Sequence, residues 1–224
     1  MNANVTATTD PHATLEPLVS GVPLSEATYA IVLVHGRGGS ADGMLPIART
    51  AGATDAALIA PRATGGTWYP DRFLAPMASN EPFLSSALAS VSRAVKSVKD
   101  AGIPSDRIIL VGFSQGACLT LEFAARNAQR FGGVAALAGA LVGDDADQRH
   151  DAGDFAGTPV LLACGDNDDH IPEAKVRKAA VMLAAQGATI DLRIYPGITH
   201  TIVGDQMDAL RAMVDVVRAG AGVE

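Results

Sequence analysis

The sequence predicts a single α/β domain built on a mostly parallel sheet with helices on both faces. Three observations predict it. Short apolar, β-branched runs alternate with stretches of helical periodicity. Most of these runs are continuously apolar, as a strand buried on both faces requires. No linker, repeat or low-complexity tract divides the 224 residues, a length that one α/β domain can fill.

The elements follow in chain order. Residues 1–14 are polar and read as a disordered tail, which leaves 15–224 as the domain. Leu15 to Leu24 offers one or two edge strands, weakened by Pro17 and Pro23, since proline cannot donate to a ladder. Strands are then expected at Tyr29–Val34, Ala56–Ala60, Ile108–Val111, Val134–Leu137, Val160–Cys164 and Ile190–Tyr195. Only the last of these alternates. Between them lie helical patterns. Ser40 to about Thr50 forms one, and Gln115 to about Gln129 another. Leu84, Leu88, Val91, Val95 and Val98 repeat at steps of four and three, with Ser79-Asn80 as capping candidates and Gly102 and Pro104 as stops. Two more helices run from Pro172 to about Gln186 and through Met207, Leu210, Val214 and Val217 to near Gly220.

Composition narrows the function. Hydrophobic residues make up 48% and aromatic residues 4% of the chain, so Ala, Val, Leu and Ile must build the core. The formal charge is 17 − 24 = −7, without a Lys/Arg cluster. Such a chain repels phosphate backbones, so nucleic acid is not an expected partner. Cys118 and Cys164 sit singly in apolar segments, without metal or redox spacing, and read as buried thiols. The first residues have no basic and apolar pattern of a signal peptide. No solid apolar run, Ala30 to Val34 among them, is long enough to span a bilayer. A cytoplasmic protein without stable membrane insertion is expected, with a homodimer left open.

Residues 108–116 read I-I-L-V-G-F-S-Q-G. The G-x-S-x-G pattern is weak alone, but here it joins a buried strand to a helical pattern. A sharp strand-to-helix turn thrusts the serine Oγ outward, and Gly112 and Gly116 leave room where side chains would clash. The positive end of the following helix favours developing negative charge. Ser114 is therefore the expected nucleophile of an α/β-hydrolase fold, in which the chain order is Ser, then Asp or Glu, then His. Of the later histidines, His200 lies in the loop between the last strand and the last helix, where a functional residue belongs. His170 is a second choice beside the acid loop, and His150 lies in a polar, solvated stretch. The acid loop, G-D-N-D-D-H-I-P, offers Asp166, Asp168 and Asp169, and spacing does not choose among them. The loop lacks the glycine and distal bidentate Glu of an EF-hand, so no metal is expected.

These residues resemble a known group. G-F-S-Q-G, L-V-H-G-R-G-G, the acid loop with D-x-x-I-P and the late histidine look like the acyl-protein thioesterase/carboxylesterase/lysophospholipase family. The likeness runs from about Tyr29 to the end, and P-R-A-T-G-G-T-W-Y-P resembles the substrate-side loop of the bacterial esterase branch. The resemblance implies Ser114 as nucleophile, Asp168 as acid and His200 as base. It places the oxyanion hole at the backbone N–H groups of Gln115 and Arg37, and the elbow geometry independently asks for the first of these. It implies no cofactor. Three positions depart from the family: Ala117 replaces a second glycine, Cys164 replaces a histidine, and H-G-R-G-G replaces H-G-L-G-D. The cationic Arg37 at the mouth argues against long acyl groups and for a substrate bearing an anionic group.

Residues 138–159 are too few for a sizeable lid domain, which fits short or accessible acyl groups. Trp68 and Tyr69, in a Gly-rich loop after a strand, are placed to wall the acyl pocket, with Met44, Leu45, Phe73 and Met77 as further lining. The expected function is a serine esterase acting on short to medium acyl esters. The alternatives in class are a lysophospholipase or acyl-protein thioesterase, and a dienelactone-type hydrolase of anionic ring-cleavage products. Two rivals stand outside the class. Gly36 to Ala41 fits a dinucleotide fingerprint, but the following strand ends Ala60-Pro61-Arg62, without the acid that would hold a ribose. A non-catalytic binding module of the same fold leaves the ordered Ser, Asp and His unexplained.

Overall fold

The computed structural model describes residues 10–149 and 151–220. Seven strands form one sheet: β1 (Leu18–Gly21), β2 (Ala30–Val34), β3 (Ala57–Ala60), β4 (Ile108–Phe113), β5 (Gly133–Leu137), β6 (Pro159–Gly165) and β7 (Thr189–Tyr195). Their spatial order is β1-β3-β2-β4-β5-β6-β7. Only β1 runs antiparallel to its neighbour. The expected strands are all present, with ends displaced by a residue or two, as hydrogen-bond assignment usually moves them. Continuous apolar runs became fully buried strands, and β7 at the edge is the partly exposed one.

Five helices flank the sheet: α1 (Ala41–Thr50), α2 (Phe83–Asp100), α3 (Gln115–Arg126), α4 (Glu173–Ala185) and α5 (Gly204–Gly220). Helices α1 and α5 pack on one face with Ile31, Leu33, Ile109 and Val111. Helices α2, α3 and α4 pack on the other with Val32, Leu110, Val134 and Leu162. In α2 the predicted stripe does this: Leu84, Val91, Val95 and Val98 are buried. Each such side chain contributes about 1.5–3 kcal/mol on leaving water, as an upper estimate. No helix among the described residues is long and apolar enough to cross a membrane.

The edge segment gives one strand, Leu18–Gly21, within the one or two expected. Other expectations need correction. Helix α3 stops at Arg126 rather than near Gln129. Ser79 and Asn80 do not cap α2, which begins at Phe83. They belong to a 3₁₀ turn, and the buried Asn80 accepts the Asp71 N–H at 2.8 Å instead. The tail is not disordered over its whole length. Residues 10–14 form turns, and the His12 side chain is fully buried against Trp68. Residues 1–9 and His150 lie outside the described residues.

The chain leaves β2 for β3 on one side and later enters β4 on the other. The crevice between the carboxyl ends of β2 and β4 is thus a topological switch point, where α/β sheets bind ligands. Parallel register aligns Val34 with Gly112, Phe113 with Leu137, and Gly165 with Tyr195. The loops carrying Arg37, Ser114, Asp168 and His200 therefore open on one edge of the sheet.

Candidate active site

Ser114 occupies the turn between β4 and α3 with φ 56°. Left-handed geometry is costly for a non-glycine residue, by about 1–3 kcal/mol, and persists only where its surroundings impose it. Here two close approaches do so. A Cβ on Gly112 would come within 2.3 Å of the Gly116 carbonyl oxygen, and one on Gly116 within 2.1 Å of the Val34 oxygen. Strand, helix and neighbouring strand meet too closely at this turn for a side chain at position 112 or 116.

The His200 side chain reaches the elbow from beyond β7. Its Nε2 lies 2.8 Å from Ser114 Oγ, and its Nδ1 lies 2.7 Å from Asp168 Oδ2. The His200 and acid loops are laced together before they meet Ser114. Asp166 N donates to Tyr195 O, Asn167 N to Ile198 O, and Gly197 N to Asp166 Oδ1 at 2.7 Å. Gly165 permits the lacing, because a Cβ there would meet Ile198 O at 1.9 Å.

The three aspartates have separate places. The Asp168 carboxylate is buried and accepts four donors. Its Oδ1 takes the backbone N–H groups of His170 and Ile171, and its Oδ2 takes His200 Nδ1 and the Cys164 thiol. Burial pushes its pKa up, but the bonds from His200, Ile171 and His170 outweigh that and hold it below the usual carboxylate value. Asp166 holds the Gly197 turn, and Asp169 is 80% exposed beside the ring of His170. His170 packs edge-on against His200 with ring centroids 4.7 Å apart, but makes no bond to Ser114.

A cleft of about 580 Å³ opens at Ser114 and His200, within the usual range for small-molecule sites. Its walls include Tyr69, Phe73, Phe113 and Ile171. Four other side chains expected in the lining, Trp68, Met44, Leu45 and Met77, are elsewhere. Trp68 is fully buried, and its indole N–H donates to His35 O at 2.7 Å. Met44 lies with Leu45 in the core under α1, on the opposite face of the sheet from α2 and α3. Met77 is also away from the cleft and gives its backbone N–H to Asp147. An indole with a single polar atom is best satisfied in the core when a carbonyl faces it, and a helical methionine on the sheet side packs inward.

The Tyr69 loop is anchored from several directions. Gln115 receives Trp68 N–H at its Oε1 and donates from its Nε2 to Tyr69 O. Arg37 donates to the carbonyls of Tyr69, Pro70 and Asp71. Its guanidinium is at the mouth, as expected, but is committed to this loop. Two buried histidines add to the anchorage. His35 accepts Ala63 N–H at Nε2 and lies 2.8 Å from Gly36 O through Nδ1. His12 accepts Thr64 N–H at Nδ1 and lies 2.9 Å from Trp68 O through Nε2. These partners require both rings to be neutral, and burial holds the His35 pKa below the ordinary imidazole value.

The backbone N–H groups of Arg37 and Gln115 have no acceptor among the described residues. Both flank Ser114, one after β2 and one at the start of α3. The arrangement can move a proton from Oγ to Nε2 and offer two N–H donors to an oxygen beside Oγ. Sequence reasoning did not find Arg72, Phe113 or Ile171 in the cleft, nor the thiol on Asp168. Phe113 and Ile171 lie inside the G-F-S-Q-G and D-x-x-I-P motifs, which gave them no role, Arg72 lies in no motif, and only the loop conformations bring these side chains to the cleft.

Residues 21–217 match the phospholipase/carboxylesterase family. The fold is similar to a phospholipase/carboxylesterase from Dyadobacter fermentans, with TM-score 0.88, 38% identity, and coverage of 93% of this chain and 99% of that one. It is also similar to esterase PE8, with TM-score 0.75, 27% identity, and coverage of 91% and 99%. Acyl-protein thioesterase 1 of Saccharomyces cerevisiae is 29% identical over 137 residues, which span 60% of each chain.

Proposed function

The chain belongs to the phospholipase/carboxylesterase family, and from that premise we propose that it is a serine carboxylesterase using Ser114, His200 and Asp168. The observation that carries the reading is the continuous hydrogen-bond chain Ser114 Oγ, His200 Nε2, His200 Nδ1, Asp168 Oδ2, with contacts of 2.8 and 2.7 Å. His200 takes the hydroxyl proton as Oγ attacks the carbonyl carbon. The Arg37 and Gln115 N–H groups stabilise the oxyanion. The alcohol leaves with the proton from His200, and an acyl-enzyme remains. Water then gives a proton to His200 as it attacks the acyl carbon, and His200 returns that proton to Ser114 Oγ as the acid leaves. Asp168 keeps the imidazole in the tautomer that presents a bare Nε2 to serine.

The proposed substrates are short to medium acyl esters. The described residues between β5 and β6 (138–149 and 151–158) hold no helix, which supports an open cleft. Each methylene buried in the cleft adds about 0.8 kcal/mol of binding, and each one left in water adds almost nothing. The reading predicts that kcat/KM rises over the first few acyl carbons, then flattens or falls by about eight. A p-nitrophenyl ester series tests it, together with labelling of Ser114 by a fluorophosphonate. Preference for palmitoyl over butyryl esters would move the reading to a depalmitoylase or lysophospholipase. The likeness to the yeast thioesterase makes thioesters the second substrate class to assay, since the same acyl-enzyme serves both.

A further inference from the structure

The chain is acidic, at −7, and many of its arginines are paired. Arg93 meets Asp10, Arg149 meets Glu122, Arg193 meets Asp205, and Arg218 meets Asp55. The two arginines that line the cleft are exceptions. Among the described residues, neither Arg37 nor Arg72 has a carboxylate within ion-pair distance, although Asp71 lies between their loops in the lining.

The two guanidiniums differ in what they have left to give. Arg37 donates to three carbonyls of the 69–71 loop, so it acts on the cleft mainly through its charge. Arg72 makes one long bond, from a terminal nitrogen to His170 O at 3.3 Å. A guanidinium carries five N–H donors in a planar fork that matches a carboxylate. Arg72 thus keeps most of its fork unused. His170 stacks edge-on against His200 and lies two residues from Asp168. The bond to His170 O therefore places the Arg72 group on the wall that carries the base. The neighbouring walls Tyr69, Phe73, Phe113 and Ile171 supply no anion, and Asp71, the acidic residue of the lining, forms no ion pair with either arginine among the described residues.

We propose that the cleft selects esters that carry a carboxylate a few bonds from the scissile carbonyl, with Arg72 as its direct partner and Arg37 adding positive field. This rests on the esterase reading above. It moves the selectivity expected of Arg37 to Arg72, because the Arg37 donors are already committed.

The test compares kcat/KM for an anionic and a neutral ester of matched size. Mono-p-nitrophenyl adipate against p-nitrophenyl hexanoate places the charge on the acyl side. 4-Carboxyphenyl butyrate against its methyl ester places it on the alcohol side. In at least one pair, Arg72→Gln should lower the anionic-to-neutral ratio about fivefold to tenfold. Arg72→Lys should lose less, and raising the salt should lower the ratio more steeply for the wild type than for Arg72→Gln, where only the Arg37 field remains. Thermal melting checks that each variant folds. A ratio unchanged within about twofold in both pairs, with neutral esters still turned over, overturns this proposal and leaves the esterase intact. Failure of the wild type to hydrolyse any of the four esters overturns both.

Discussion

The Cys164 thiol lies 3.5 Å from Asp168 Oδ2, the same oxygen that His200 Nδ1 holds at 2.7 Å. Burial and the adjacent carboxylate push the thiol pKa up to about 12, so Cys164 serves as a weak donor and not as a thiolate. Thiol donors are weak, and Asp168 keeps three stronger ones. Cys164→Ala should therefore lower kcat/KM only about twofold to fivefold. A loss near that of an Asp168 variant would show that the thiol contributes far more than its chemistry allows.

The aspartates should separate sharply. Asp168→Asn puts an amide N–H or a poorer acceptor against Nδ1, disturbs the tautomer, and should cost about 10⁴-fold in kcat. Asp166→Asn keeps an oxygen for the Gly197 N–H and should lose less than about tenfold. Asp169→Asn, on the exposed rim, should be close to wild type. Steady-state kinetics on one p-nitrophenyl ester decides this, and a sensitive Asp169 would contradict the assignment.

Ser114→Ala should reduce kcat by about 10⁶-fold, as in other serine triads, and should abolish fluorophosphonate labelling. Stability should change little, because both residues suffer the same strain at φ 56°. Turnover near the wild-type rate would remove Ser114 as the nucleophile.

His35 predicts a separate effect of pH on stability. Its folded pKa is depressed, first by burial and also by the nearby His12, against the opposing Gly36 bond. The folded state therefore binds fewer protons than the unfolded state just below the ordinary imidazole pKa of about 6.5. The stabilising effect of the neutral ring is complete above that value. It is lost as pH falls from there towards the depressed folded value. Melting temperature should drop across this window, and the drop should shrink in His35→Gln even though that variant starts lower. Equal slopes in the two proteins would assign the loss to other groups.

Arg37→Leu should act through the loop it holds. Losing the bonds to the Tyr69, Pro70 and Asp71 carbonyls frees the wall beside Ser114. KM for neutral short esters should rise about threefold to tenfold, and kcat should fall less, because the residue-37 N–H remains. An unchanged KM would mean that Gln115 and the two buried histidines hold the loop alone.

Sequence by itself determined the architecture and pointed to Ser114 at the elbow. Buried strands need continuous apolar runs and core helices need a 3.6-residue stripe. The elbow needs glycines at two fixed distances from Ser114, all of which are local in the chain. It also determined that His200 follows the last strand. Spacing left Asp166, Asp168 and Asp169 equivalent, and only resemblance favoured the middle one. The tertiary structure separates them, because within one turn adjacent side chains point to different places: one to the Gly197 N–H, one to His200, one to water. The same limit explains Trp68 and Arg37. Both sit in the expected loops, but partners distant in sequence, the carbonyls of His35 and of residues 69–71, decide where their polar groups go. Chain order carries no record of those meetings, and they exist only once the sheet has brought its carboxyl-end loops together.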